Sequence, residues 1–181
     1  MVEFDLSKDA ITTGLTSTLV DYLLTASSYC LDKNNHETGV QATITGGVEN
    51  VIKLSWAPIS QEVENTYADP GTATERGAEG LAFIIVDRLT EYQVGMLSYV
   101  GTGFDYYLVA KDVAPSLQVL SQGYMKLEVS GIDKKTAKNT VDSRVRMKCK
   151  QAATHKDGID YMVVVAEFSE PLVEVRYGTS N

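Results

Sequence analysis

The spacing of apolar positions predicts an alternation of helices and strands along the chain. Between residues 11 and 30, apolar side chains recur at helical intervals, which indicates an amphipathic helix with Ser7 as its N-cap. Residues 40–45 alternate between apolar and polar side chains and predict a strand. Residues 51–56 predict its antiparallel partner across a two-glycine turn, so the N-terminal part of the chain is expected to form a helix and a β-hairpin.

A longer series of elements follows the turn sequence at residues 69–71, where we expect a boundary. An almost wholly apolar stretch predicts a buried helix that starts at Thr72 or Thr74. The remaining predicted elements are strands at 93–100, 104–109 and 125–130, the last of which ends at Gly131, a basic helix at 136–153, an apolar strand at 161–168 and a short strand at 172–177. A loop is expected over 110–123.

Together these elements predict one domain, 1–181, of the α/β or α+β class, with a central mixed β-sheet flanked by helices. The length of 181 residues and the apolar content of 44% suit a single globular domain. Within this domain we expect residues 1–70 to form an N-terminal layer of helix and hairpin, and residues 71–170 to form the core.

Composition excludes several classes of protein. No apolar run approaches the ~20 residues that a membrane-spanning helix needs, and the acidic N-terminus lacks a signal-peptide layout, so we expect a cytoplasmic protein without a membrane segment. Cys30 and Cys149 lie far apart in helical patterns, without a second Cys or a His at ligand spacing. Two buried structural thiols are therefore expected rather than a disulfide or a zinc site.

The net charge of −8 argues against a nucleic-acid-binding protein, but the charge is unevenly distributed. Residues 125–156 contain nine Lys or Arg and three acids, a local charge of +6. This basic element is either a surface that faces phosphates or an ordinary solvated helix face. If it faces nucleic acid, the expected contacts are Lys134, Lys135, Lys138 and Arg144. The candidates for base stacking, or for the commoner packing on a sheet, are Tyr92, Tyr99, Tyr106 and Tyr107.

Carboxylates and a lysine occur where the apolar pattern indicates the interior. Glu75 and Glu79 share one face of the predicted buried helix, either as functional groups or as acids that reach the surface near the helix N-terminus. Asp105 lies near the start of one strand, and Glu128 lies within the next. Lys148 projects into the apolar arc of the basic helix, where a lysine usually pairs with a carboxylate or extends to the surface.

These residue types suit phosphodiester hydrolysis. Carboxylate oxygens are the ligands that Mg²⁺ and Mn²⁺ prefer, and such an ion generates hydroxide and neutralises charge in the transition state. A lysine near the ion can orient the attacking water or stabilise the developing charge.

The order of these elements, with an Asp and then a Glu on successive strands, resembles the PD-(D/E)XK or restriction-endonuclease-like nuclease superfamily. The resemblance covers residues 72–168 and implies a helix with a Glu, three strands that carry Asp and Glu-x-Lys, a second helix and a fourth strand. It implies that Asp105, Glu128 and Glu79 (or Glu75) bind Mg²⁺ or Mn²⁺. The implied activity is DNA cleavage in phage defence or mobile-element biology.

The chain departs from the superfamily pattern at two positions. Ser130 stands where the motif lysine is expected, and Phe104 stands where a proline usually precedes the Asp. Some members supply the lysine from the following helix, which makes Lys148 the candidate here, and Gln151 corresponds to a polar residue that some members carry on that helix. The catalytic set that the resemblance implies is Glu79, Asp105, Glu128, Lys148 and Gln151.

Two other hypotheses remain open. In the first, the lost motif lysine marks a catalytically inactive relative that binds nucleic acid or protein. In the second, the chain is an interaction protein whose acids are surface caps, and Glu79, Asp105 and Glu128 do not converge on one ion. Few elements lie outside the predicted core, so a homodimer or a partner subunit is expected to contribute to target recognition.

Overall fold

The computed structural model of the chain describes residues 1–114, 124–154 and 157–180. The helices are α1 (Ser17–Lys33), α2 (Gln61–Thr66), α3 (Pro70–Leu89) and α4 (Val141–Ala152). The strands are β1 (Val2–Asp5), β2 (Val40–Gly46), β3 (Asn50–Ser55), β4 (Tyr92–Leu97), β5 (Tyr106–Ala110), β6 (Met125–Ile132), β7 (Asp160–Glu167) and β8 (Leu172–Thr179). Most of the predicted loop at 110–123 lies outside the described residues.

Within the described residues, eight strands form one mixed sheet in the order β1-β3-β2-β8-β7-β6-β5-β4. The pairs β1–β3, β2–β8 and β6–β7 are parallel, and the other neighbours are antiparallel. The predicted class, a central mixed sheet flanked by helices, is confirmed, and so is the predicted β2–β3 hairpin. No helix of the described residues is long and apolar enough to cross a membrane.

The helices form a layer on each face of the sheet. Helices α1 and α3 pack against each other and share one apolar cluster with side chains from most of the strands. Helix α4 covers the other face and packs on β6, β7 and β8 around a smaller apolar cluster. Because strand side chains alternate between faces, Leu127 and Val129 of β6 enter the larger cluster, whereas Glu128 faces α4.

Strand β6 crosses close beneath the first turns of α3. A Cβ atom on Gly131 would lie 2.4 Å from the carbonyl oxygen of Thr74, inside van der Waals contact. The sequence suggests that Gly131 ends the strand, and this expectation is wrong, because the residue pairs with Ala166 and β6 continues to Ile132. The glycine is required for the close approach of the helix rather than for a turn.

Gly131→Ala is therefore expected to lower the free energy of unfolding by about 1–3 kcal/mol, the usual penalty for overpacking. Gly71→Ala is the matched control, because its Cβ would meet only Asp69 Oδ1, at 3.5 Å, in the first turn of α3. Alanine is favoured over glycine in helices, so the control is expected to be as stable as the wild type or slightly more so. Urea denaturation followed by circular dichroism measures both, and a Gly131→Ala protein of wild-type stability would contradict the close approach.

The predicted start of the first helix is wrong. Helix α1 begins at Ser17 behind the N-cap Thr16, and the Ser7 hydroxyl instead accepts a hydrogen bond from the backbone N–H of Ala57. The chain before α1 forms β1 and a segment in which Thr13 bridges to Val94 of β4. These long-range pairings override the helical spacing of the apolar side chains between 11 and 16.

The predicted bounds of two other helices also change. Helix α3 begins at Pro70, where Asp69 caps it and proline is well tolerated in the first turn. Helix α4 begins at Val141 rather than at residue 136, because Thr140 and Ser143 form a reciprocal capping box. Lys138, which was predicted to lie on this helix, precedes it and is exposed.

Candidate functional site

The candidate site lies where β5 and β6 separate. Strand β5 begins at Tyr106, opposite Leu127, so β6 extends past the start of β5, and no other described strand pairs with it on that side. Asp105 occupies the junction: its backbone N–H donates to the carbonyl of Leu127 at 2.9 Å, and its Oδ2 accepts from the N–H of Val129 at 2.8 Å. The side chain thus replaces the next β5 carbonyl, and this bond fixes the carboxylate against β6.

Glu128 lies at the centre of the site and is 1% exposed. Its Oε1 accepts hydrogen bonds from Lys148 Nζ at 2.5 Å and from Gln151 Nε2 at 3.0 Å, both on α4. Its Oε2 is buried and, among the described residues, is the one buried side-chain polar atom without a hydrogen-bond partner. A buried carboxylate oxygen without a donor is costly, so Oε2 of Glu128 is an oxygen that could still accept a hydrogen bond or bind a cation.

Burial and like charges both disfavour the ionised form of this glutamate. Burial and the charge of Asp105 raise the pKa of Glu128, Lys148 partly opposes both, and the resulting pKa is about 7. Burial also raises the pKa of Asp105, against the lowering effects of the Val129 N–H and the charge of Lys148. Lys148 is the one cation that is hydrogen-bonded to this pair of carboxylates among the described residues, and its charge lowers the pKa of both.

The two glutamates of α3 have different surroundings. Glu75 accepts a hydrogen bond from the N–H of Gly131 at 3.3 Å, and its charge contributes to the raised pKa of Glu128. Glu79 receives Arg76 Nη1 at 2.7 and 2.9 Å and the Tyr106 hydroxyl at 2.8 Å. Both oxygens of Glu79 are thus already bonded.

The position where the resemblance implies a lysine is occupied by Ser130, whose hydroxyl accepts a hydrogen bond from an arginine. Arg144 of α4 donates to the Ser130 hydroxyl at 3.0 Å and to Asn139 Oδ1 at 2.8 Å. Its guanidinium is thus tied to β6 and to the turn before α4, within two residues of Glu128. Arg144 is a neighbour of the site rather than a freely exposed contact.

The other three predicted nucleic-acid contacts lie on the turn between β6 and α4. Lys134, Lys135 and Lys138 are all exposed. Lys135 forms an ion pair with Glu170 at 2.5 Å, which lowers the net charge of this surface. The structure therefore brings together Asp105 and Glu128 with two side chains of α4, and leaves these lysines at the surface.

Asp105 and Glu128 could together hold one divalent cation, and a third acidic ligand is not placed beside them among the described residues. Within the described residues, no group of three or more His, Cys, Asp or Glu side chains is placed to hold a metal ion. Asp105 and Glu128 nevertheless supply hard oxygen ligands, and the unpartnered Oε2 of Glu128 is an atom that an Mg²⁺ or Mn²⁺ ion would satisfy. The residues therefore fit the ion through these two carboxylates.

Comparison with protein-family models, with curated proteins and with solved structures finds no match for this chain. The site must therefore be judged on its own geometry. Two of its features could not be found in the sequence: the pairing of Arg76 with Glu79, and a hydrogen bond from Gln151 to the carbonyl of Gly103 at 3.4 Å. Both depend on packing between distant elements, and only the three-residue spacing of Arg76 and Glu79 gives a local signal.

Proposed function

We propose that the protein hydrolyses phosphodiester bonds in nucleic acid, with DNA as the first candidate substrate and Mg²⁺ or Mn²⁺ as cofactor. The observation that carries this proposal is the state of Glu128: it is almost completely buried, bonded to Lys148 through one oxygen and, among the described residues, without a hydrogen-bond partner at the other. A merely structural glutamate would have both oxygens satisfied. An unsatisfied carboxylate with a raised pKa is typical of a functional site.

The order of the elements supports the same proposal. A helix (α3), three antiparallel strands (β4 to β6), a second helix (α4) and a strand parallel to the third (β7) follow one another. This is the order that the resemblance to the PD-(D/E)XK superfamily implies. Asp105 directly precedes β5 and Glu128 lies within β6, which supports the proposed match to the acidic residues of that superfamily.

Each side chain of the site has a distinct task in this proposal. Asp105 and Glu128 would hold the cation, which supplies Lewis-acid activation of water and neutralises charge on the phosphate. Lys148 is hydrogen-bonded to Glu128, and its ammonium would stabilise negative charge that develops on the phosphate oxygens. Gln151 bridges Glu128 to the carbonyl of Gly103 and so fixes α4 against the turn that carries Asp105.

The second candidate is a nuclease-like module that binds nucleic acid or protein without cutting. The replacement of the motif lysine by Ser130, with Arg144 bonded to its hydroxyl, favours this alternative. The two candidates predict different behaviour of the same protein. A nuclease of this kind cleaves the nucleic acid only when a divalent cation is present. A binding module is stabilised by its ligand and leaves that ligand intact.

The test is cleavage of labelled DNA and RNA oligonucleotides, single-stranded and duplex, with MgCl₂, MnCl₂ or EDTA. Asp105→Asn is expected to lower the cleavage rate about a hundredfold or more, because a catalytic ion contributes several kcal/mol to the transition state. The amide can still accept the Val129 N–H through its oxygen, so the fold should be retained. Asp133→Asn, which alters a half-exposed carboxylate paired with Lys33, is the matched control and should cleave like the wild type.

The catalytic proposal would be wrong if none of the substrates is cleaved and if millimolar Mg²⁺ or Mn²⁺ does not raise the Tm. A rise in Tm on addition of an oligonucleotide that stays intact would support the binding module instead. Equal loss of cleavage in Asp105→Asn and Asp133→Asn would show that neither carboxylate is specific to the reaction.

A further inference from the structure

The turn between β4 and β5 displays apolar side chains to solvent. We call residues 97–103 the β4–β5 tip. Within the described residues, the exposed large hydrophobic side chains are Met1, Leu97, Tyr99, Val100, Met147 and Tyr177. Three of these belong to the β4–β5 tip, where Tyr99 is 58% exposed and Val100 is fully exposed. Single exposed apolar residues are common, but three within four positions indicate a contact surface.

The β4–β5 tip is held by its own hydrogen bonds. The backbone N–H of Ser98 donates to the carbonyl of Asp105 at 2.9 Å, and the Ser98 hydroxyl donates to the carbonyl of Phe104. The hydroxyl of Thr102 donates to the carbonyl of Tyr99 at 2.8 Å. Gly101 supplies the positive φ of 93° that the turn needs. The apolar side chains are thus presented by a defined turn.

The same turn is part of the candidate site. Asp105 lies two residues after the end of the β4–β5 tip and accepts a hydrogen bond from Val129, while Gln151 joins the carbonyl of Gly103 to Glu128. The charges of Lys148 and Arg76 both lower the pKa of Asp105, while Lys148 is paired with Glu128 and Arg76 with Glu79. The β4–β5 tip therefore lies next to the candidate site.

The four tyrosines with base-stacking potential are now distinguishable. Tyr106 is buried and donates its hydroxyl to Glu79, Tyr107 is buried against Phe104, and Tyr92 is packed against the core. Of these four, Tyr99 is the one whose ring faces solvent, and it lies six residues before Asp105 in the same turn. Its ring is therefore available to a ligand that occupies the site.

We infer that the β4–β5 tip binds an unpaired nucleotide, with the Tyr99 ring stacked on its base and Val100 beside it, while the adjoining phosphate lies at the divalent cation that Asp105 and Glu128 would hold. This inference rests on the proposed function and narrows it to single-stranded nucleic acid or frayed ends. An aromatic side chain can stack on a base only when that base has left the duplex, since neighbouring pairs otherwise cover its faces. A divalent cation held there would favour a phosphate polymer over a neutral or cationic peptide.

The test is steady-state cleavage and fluorescence anisotropy with one labelled oligonucleotide, offered as a single strand and as a blunt duplex in MgCl₂. Tyr99→Ala is expected to raise KM and Kd for the single strand about 5- to 100-fold, the range for the loss of one stacked base, and to leave kcat unchanged. Tyr99→Phe keeps the ring and should retain the wild-type values. Tyr177→Ala removes an exposed tyrosine of β8 and should not change KM.

The possible results separate this inference from the proposed function. If the wild type cleaves the single strand but Tyr99→Ala has an unchanged KM, the inference is wrong and the nuclease proposal stands. If the wild type neither binds nor cleaves any oligonucleotide, both are wrong. If Tyr99→Ala alters the sedimentation coefficient while oligonucleotide affinity is unchanged, the β4–β5 tip is a contact between copies of the chain, and the inference is again wrong.

Discussion

Glu128→Gln is expected to raise the free energy of unfolding at pH 8 by up to about 3 kcal/mol, and to abolish any stabilisation by Mg²⁺ or Mn²⁺. Burial and the charge of Asp105 raise the pKa of Glu128 from 4.5 to about 7 in the folded protein. A carboxyl with a raised folded-state pKa stabilises the fold below its unfolded pKa, and this contribution is lost as pH rises through the folded value. Glutamine mimics the protonated form at every pH.

The wild-type protein should therefore lose stability between about pH 4.5 and pH 8, and the variant should lose less. Thermal or urea denaturation at pH 5 and pH 8, with and without about 5 mM MgCl₂, measures the pH dependence of stability and the stabilisation by metal. At pH 5 the two proteins should have similar stability. At pH 8 the variant should be more stable without metal, whereas the wild type should gain from it.

Glu167 provides the matched control, because it is as buried as Glu128 but fully bonded. Its oxygens accept from the backbone N–H groups of Lys135, Ser169 and Glu170 and from the Ser169 hydroxyl. Glu167→Gln turns an amide donor toward these donors and should destabilise the fold by about 1–3 kcal/mol, with the metal response retained. If Glu128→Gln behaved in the same way, Glu128 would be a structural residue.

The spacing of apolar side chains along the sequence predicts which helices and strands form more accurately than it predicts the residues at which they begin and end. The alternation in β2 and the apolar run in β7 follow from side-chain burial within each strand, so both strands were correctly located. The start of α1 was not, because Thr13 bonds to Val94, about eighty residues away, and this contact overrides the local helical spacing. The parallel pairing of β2 with β8, which joins the hairpin to the rest of the sheet, leaves no local signal either.

The candidate site divides in the same way. The position of Lys148 opposite Glu128 could be predicted, because the strand period places Glu128 on one face and the helix period places Lys148 inside the buried arc. The hydrogen-bond partners of Glu79 could not be predicted from its position in α3. It depends on how Tyr106 approaches from β5 and on the rotamer of Arg76, and both follow from packing across the sheet.

Lys148→Met is expected to shift metal binding and cleavage to higher pH and to lower the cleavage rate at pH 7 about a hundredfold. The lysine is the group that lowers the pKa of Glu128 through both a hydrogen bond and its charge. Without it, the buried glutamate keeps its proton to a higher pH, and a protonated carboxyl is a poor metal ligand. Methionine retains the apolar stem that packs between α4 and the sheet.

The effect of Lys148→Met on stability should depend on pH. At pH 5 Glu128 is protonated, so the free energy of unfolding should change little. At pH 8 the loss is expected to be about 1–2 kcal/mol, because Glu128 can stay protonated in the variant at a cost of about 1.4 kcal/mol per pH unit above its wild-type folded pKa. Lys150→Met, an exposed lysine of the same helix, should match the wild type in both measurements. Lys148→Arg restores the charge and should recover part of the metal response. If the pH dependence of Mg²⁺-induced stabilisation were identical in Lys148→Met and the wild type, Lys148 would have no influence on the ionisation of Glu128, and the geometry of the site would have to be explained without a metal.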